Sequence, residues 1–275
     1  ATDIADNTGI ALFGTANPQF FTPDNVIDAV GYGQVAAPFF EGTRLAAIPV
    51  ANKEHSFARM IPISGDSGLT DTDNNAADFV LIATDGNATY PTAMIGAPGP
   101  ENLSSPRASN SLTISLVDPL ECSNCPPNRI RLFCGNPGAP PCPAEAQTST
   151  NGYLSILRKF TNTTKSTVTR LRFRIIDITN ITNPGGLDAP VADLRAISSP
   201  NVTLDTALGQ INVFGTTLET PPTQAMGGAV NSTLSAEAVT LGAPLAPGAE
   251  INVQFLLGVK ALGRFRFFIV AETLP

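Results

Sequence analysis

Tryptophan is absent from this chain of 275 residues, histidine occurs once, at His55, and lysine occurs four times. One imidazole excludes a His-rich metal centre and any chemistry that needs two histidines. Charged residues make up 14% of the chain, against about 25% in an average globular protein. That shortage excludes a coiled coil, a long helical bundle and an acidic disordered tail. No apolar run reaches the ~18–20 residues of a membrane-spanning helix, and neither end carries a lipidation motif. The expectation is a protein without membrane insertion. The sequence opens at Ala1 with neither an initiator Met nor a basic-then-apolar leader, which favours a processed product or an internal piece.

What is present is turn chemistry and short apolar runs. Glycine and proline number 23 and 24, and the runs between them alternate with a period of two, the pattern of an all-β protein. At roughly 100–200 residues per domain the length predicts two domains. The stretch Gly96-Ala97-Pro98-Gly99-Pro100, continuing to Pro106, is too rich in proline for a sheet interior. It places the boundary so that residues 1–108 form one β-sandwich and residues 109–275 a second, with a Cys-rich loop at 119–150.

Charge divides along the same line: twelve acids and four bases before residue 109, for a net −8, and eleven acids and twelve bases after it, for +1. The acidic half excludes nucleic acid as a partner.

Strands are predicted over Ile10–Phe13, Val26–Tyr32 and Asp78–Ala83 in the first half. In the second they run over Ser111–Val117, Arg129–Phe133, Tyr153–Thr161, Thr167–Ile178, Ala192–Ile197, Gln210–Leu218, Ala238–Leu241, Glu250–Val259 and Gly263–Glu272. The alternation is clearest in Arg170-Leu171-Arg172-Phe173-Arg174-Ile175, with three apolar residues on one face and three arginines on the other. Its phase slips at Ile175-Ile176, which predicts a bulge. Arg264-Phe265-Arg266-Phe267 repeats the design. Two readings of Arg170, Arg172, Arg174, Arg264 and Arg266 stand side by side. They cover a sheet face and pair with acids such as Asp177 and Glu272, or they meet the acidic surface of another subunit.

The ordered series Val26-Ile27-Asp28-Ala29-Val30-Gly31-Tyr32-Gly33, Glu41-Gly42-Thr43, Phe57-Ala58-Arg59 and Asp71-Thr72-Asp73-Asn74-Asn75-Ala76-Ala77-Asp78-Phe79 resembles the later part of a bacterial lamin-tail domain, over about residues 8–105. The resemblance implies an immunoglobulin-like sandwich of the kind found on secreted and surface proteins, and it carries no catalytic residues. The Glu-Leu-Tyr-Asn-like stretch and the Gly-Trp turn that open that family are missing, so the first strands of this sandwich are expected to be supplied from elsewhere. Three sources are open: a cleaved upstream piece, a spare strand of this chain such as Ser111–Val117, or a strand from a neighbouring subunit by β-strand addition. From Tyr153 onward the chain resembles bacterial immunoglobulin-like or fibronectin-like surface repeats.

Cys122, Cys125, Cys134 and Cys142 sit in a loop rich in proline and glycine. Zinc would want two close pairs where only one exists, and haem attachment would want His where Pro126 stands, so two disulfides are favoured, with the pairing open. Asp71, Asp73, Asn75 and Asp78 place oxygens at positions 1, 3, 5 and 8, a spacing that suits either a calcium loop or an Asx-rich turn capping the next strand. Gly65-Asp66-Ser67-Gly68 shares four letters with serine proteases but stands too near the start of the chain for their His and Asp to precede it. Asn-x-Ser/Thr sequons occur at Asn87, Asn102, Asn162, Asn180, Asn201 and Asn231.

These features predict a secreted, non-enzymatic structural protein, extracellular or on the cell surface. It would be the subunit of a homopolymeric filament or surface layer assembled by strand complementation, with itself as partner and no cofactor unless calcium. The alternative is a carbohydrate- or surface-binding accessory module cleaved from a larger secreted enzyme or adhesin.

Overall fold

The computed structural model describes residues 8–48, 53–61, 69–99, 107–108, 112–133, 148–207 and 209–274. The architecture is all-β: among the described residues the helical elements are one turn of α-helix, α1 (Asn75–Asp78), and three short 3-10 turns. In chain order the strands are β1 (Gly9–Phe13), β2 (Val26–Gly31), β3 (His55–Arg59), β4 (Phe79–Ala83), β5 (Met94–Ile95), β6 (Arg107–Ala108), β7 (Leu112–Leu116), β8 (Arg129–Leu132), β9 (Tyr153–Asn162) and β10 (Arg170–Ile178). They continue with β11 (Asp193–Ile197), β12 (Val202–Thr206), β13 (Gly209–Val213), β14 (Thr217–Leu218), β15 (Thr233–Ser235), β16 (Glu250–Ala261) and β17 (Phe267–Leu274).

Two sheets, built from the second half except for β6, make a sandwich-like body. One runs β14-β15-β10-β17-β6, and the other runs β11-β16-β9-β7 with β8 also paired to β9. Their inner faces meet through phenylalanines. Phe160 and Phe255 rise from one sheet, Phe173 and Phe267 from the other, with ring centroids 4.7 Å (160–173), 4.9 Å (173–255), 6.0 Å (255–267) and 6.1 Å (160–255) apart. These are tilted and edge-on contacts that add to simple burial. β10 reaches this core through Leu171, Phe173 and Ile175, all fully buried. The predicted bulge is present: the β10–β17 register skips Ile176, passing from Ile175 to Asp177. Ser111–Val117 fills no gap in the first half, because β7 pairs with β9 along its whole length. The predicted strand Ala238–Leu241 is a turn in which Thr240 and Ala243 exchange backbone hydrogen bonds.

The strands before residue 100 form two small sheets, the β1–β2 hairpin and β3-β4-β5. The second of these joins the sandwich edge to edge. Gly96 bridges Val230, Ala97 donates to the Val230 carbonyl at 3.2 Å, and Asn231 and Ser232 go on to pair with Ile175 of β10. Gly96 has a steric reason to be glycine, since a Cβ there would stand 1.9 Å from the Val230 oxygen. Ile82 and Ile95 enter the same apolar core as the phenylalanines, while a separate small cluster gathers Leu81, Ala83, Tyr90 and Ala93.

Phe255 touches three other rings, so Phe255→Ala removes the centre of the cluster. The expected cost is about 3–5 kcal/mol, read as a lowered midpoint in urea unfolding with the slope unchanged.

Candidate functional site

The β1–β2 hairpin has two free edges, and the chain treats them oppositely. Tyr32 donates to the Thr8 carbonyl, and the register then pairs Ile10 with Val30 and Leu12 with Asp28. In an antiparallel ladder this turns the backbone groups of Ala29 and Gly31 away from β1, and those of Gly9, Ala11 and Phe13 away from β2.

On the β2 side side chains stand in for a strand. The Ala29 amide donates to Glu41 Oε1 at 3.1 Å, and its carbonyl accepts from Asn75 Nδ2 at 2.7 Å. The Gly31 amide donates to Asn75 Oδ1 at 3.0 Å, and its carbonyl accepts from the Leu45 amide at 2.9 Å. Asn75, fully buried, also accepts from the Glu41 amide. That edge is closed within the chain.

On the β1 side no such closure exists among the described residues: the outward N–H and C=O groups of Gly9, Ala11 and Phe13 have no backbone or side-chain partner. The strand reads Gly-Ile-Ala-Leu-Phe, with no charge or proline to protect it. Ile10 is 66% exposed and Leu12 60%, and Ile27, left over by the bulge opposite Leu12 and Phe13, is 63% exposed. Natural edge strands are usually blunted by the features missing here.

The four residues proposed from spacing as calcium ligands do not converge. Asp78 turns inward and accepts from the amides of Thr72 and Asn74 and from the Thr72 hydroxyl at 2.7 Å. Burial pushes its pKa up, but those hydrogen bonds outweigh burial and hold it below the usual carboxylate range. Asn75 is spent on the β2 edge. Asp71 and Asp73 remain, joined by Glu41, with one oxygen from each of the three within 4.8 Å of the others. Arg59 already supplies a cation there, 3.1 Å from Asp71 and 2.9 Å from Asp28. Burial, and then the charge of Asp28, raises the Glu41 pKa, against the Ala29 amide, with Asp71 and Asp73 adding to the rise. Glu41 is invisible to spacing because its partners lie 12 and 34 residues away.

Two of the three arginines of the β10 stripe are enclosed, and Arg170 is exposed. Arg172 and Arg174 are buried and share Glu272 of β17, with Arg174 Nε at 2.6 Å. Arg172 and Arg170 also reach Glu219, which accepts from Thr233 and Ser235. Burial raises the Glu219 pKa, but the hydroxyls and the two arginines more than reverse this. Arg266 pairs with Asp177 at 2.9 Å, and exposed Arg264 lies 3.5 Å from Asp188. Arg172 and Arg174 therefore cannot meet another subunit in the folded chain, because their own sheet and the 219–232 loop enclose them. A different set of cations lacks acids: Arg129, Arg131 and Arg158 have no carboxylate partner among the described residues. Burial lowers the pKa of Arg131 and Arg158, and the Arg129 charge lowers Arg158 further.

Cys122 and Cys125 are joined in a disulfide. Cys134, Cys142, Asn102 and Gly65-Asp66-Ser67-Gly68 lie outside the described residues. Two sequons are turn chemistry. In Asn162-Thr163-Thr164 and Asn180-Ile181-Thr182 the Thr hydroxyl donates to the Asn Oδ1 at 2.7 Å, with both asparagines buried. Such Asx turns need the same letters as a glycan acceptor, and neither amide is open to modification in the folded protein. Asn231 uses its amide to hold the Ala97 carbonyl, while Asn87 and Asn201 are exposed. His55 Nδ1 lies 2.6 Å from the Lys53 carbonyl and its ring packs 4.2 Å from Tyr90.

Glu272 neutralises two buried guanidiniums, so Glu272→Ala leaves both uncompensated. The expected loss is about 3–5 kcal/mol by urea unfolding. Glu41→Gln has the opposite sign. A carboxyl whose pKa is raised in the fold loses stability as pH rises from its unfolded to its folded pKa. The variant should therefore match wild type below the ordinary Glu range and melt at a higher temperature above the raised value, a gap that calorimetry across pH reads directly. Compared with family models, curated proteins and solved structures, the chain matches none.

Proposed function

We infer that the protein is a secreted, non-enzymatic structural subunit that self-associates by β-strand addition on the outer edge of β1. The product would be a homopolymeric extracellular filament or surface layer. The single observation carrying this reading is the contrast within one hairpin. The β2 edge is closed by Glu41 and Asn75, while the five-residue β1 edge is apolar, uncharged and unpartnered among the described residues.

Under this reading the first half is the later part of a lamin-tail domain and the second half an immunoglobulin-like module, supported by the two antiparallel sheets that share its core. The disulfide supports an extracellular setting, since such bonds persist in oxidising compartments.

Magnitudes make each contact modest. Three outward residues offer one N–H and one C=O each, and a hydrogen bond contributes about 1 kcal/mol net. Covering Ile10 and Leu12 adds about 1.5–3 kcal/mol each. Association costs about 4–15 kcal/mol, so assembly should depend strongly on concentration and on several contacts forming together.

Ala11 points its N–H outward, so Ala11→Pro removes no bond to β2 while blocking the edge. Wild type at high concentration and low salt should elute as large species and show regular fibres or sheets by electron microscopy. Ala11→Pro should remain a folded monomer with an unchanged circular dichroism spectrum. A wild-type protein that stays monomeric under those conditions overturns the reading.

A further inference from the structure

A second strand of the molecule has the same unprotected character as β1. Asn162 of β9 donates its N–H to Ala249 and accepts from Gly248, so the even residues of β9 face β16 and the odd ones, Thr161 and Lys159, face β7. Their partners Thr113 and Ser115 complete that ladder, which turns the backbone groups of Leu112, Ile114 and Leu116 outward. Those groups have no partner among the described residues. β7 reads Leu-Thr-Ile-Ser-Leu, five residues without charge, with Ile114 56% exposed.

We propose that the strand docking on β1 is β7 of a second copy of this chain, so that the polymer grows head to tail. This rests on the self-assembly reading above and names its acceptor surface. The two edges match in length, each presents three outward backbone pairs, and exposed apolar side chains stand on both, Ile10 and Leu12 on β1 and Ile114 on β7.

Their surroundings are opposite in charge. Asp24 and Glu41 lie beside the hairpin, while Asp28 on β2 is already paired with Arg59. Across the ladder from β7, Leu116 stands opposite Arg158, with Arg129 on the neighbouring β8, and neither has a carboxylate partner among the described residues, whereas Lys159 pairs with Glu250 at 3.1 Å. The charges flank the edges without lying on them, so they steer the approach and leave the pairing apolar.

Two β1 edges meeting each other would close into a dimer and stop there, whereas two unlike edges leave one of each free and continue the chain. Other strands suit the role less: β3 carries His55 and Arg59, and β12 carries Asp205.

The test uses two blocked variants of the full chain, Ala11→Pro and Ile114→Pro. The Ile114 N–H points outward, so this proline also removes no bond to β9. Each variant alone should sediment as a monomer, because one keeps only the β7 edge and the other only the β1 edge. Mixed in equal amounts they should form a 1:1 dimer, twice the monomer mass, that grows no further and dissociates as salt is raised.

Growth of Ile114→Pro alone into wild-type polymers overturns the proposal and leaves self-assembly through β1 intact. Arrest of Ile114→Pro alone at a dimer overturns it in favour of β1 meeting β1. A mixture that remains monomeric, beside a wild type that polymerises, also overturns it. A monomeric wild type instead overturns the self-assembly reading itself. Melting curves establish that both variants fold. If either proline unfolds its strand, Leu12→Lys and Ile114→Lys place charges on the same two edges without touching the backbone, and the same pattern is expected.

Discussion

Glu272 lies between Arg172 and Arg174, and much of the molecule is arranged around that contact. β10 is buried on both faces: Leu171, Phe173 and Ile175 enter the phenylalanine core, while the arginines between them are enclosed on the other side. A buried guanidinium without a counter-charge costs several kcal/mol. β17 must therefore pair with β10 in the one register that sets Glu272 beside Arg172. A slip by one residue would send the carboxylate to the opposite face. The same register carries Phe267 to the core and Arg266 to Asp177, so the ion pairs and the aromatic packing fix each other.

The small first half solves a different problem with few means. A hairpin of two short strands has two edges and little core, and one edge is closed by a carboxylate and an amide borrowed from residues 41 and 75. Asn75 suits the task because an amide both donates and accepts, satisfying a C=O and an N–H of the same strand edge. The closure accounts for a carboxyl in this place: its Ala29 contact closes the edge, while burial and the charges of Asp28, Asp71 and Asp73 raise its pKa.

The strongly periodic elements were legible in the sequence. β10 announced itself by alternation and its bulge by the doubled isoleucine, and β1, β2, β4, β9 and β16 lie within one or two residues of their expected spans. β3 shows no two-residue rhythm, in keeping with the half-burial of every residue of His55–Arg59, and only Phe57-Ala58-Arg59 stood out, as part of the lamin-tail resemblance. The single strand expected over Gln210–Leu218 is two, β13 and β14, since Phe214 leaves the hairpin to bond with Asn252 and Gln254 of β16. The polar residues were harder. Asp78 as the cap of a turn follows from its local Asx-rich sequence, but Asn75 and Glu41 act on residues far along the chain, and no spacing rule sees that. Asn162 and Asn180 show the reverse hazard, a true local pattern that serves folding.

The seam at Gly96 and Val230 bears on how such a chain can be inherited. With Ile82 and Ile95 seated among the phenylalanines and Asn231 tied to both Ala97 and Arg174, neither half is a self-contained cassette. A chimera that joins the first hundred residues to a foreign sandwich would have to bring a matching glycine-sized gap and an asparagine at the facing loop. Recombination at the proline-rich stretch would break the partnership, so residues 96–97 and 230–231 should change together or not at all.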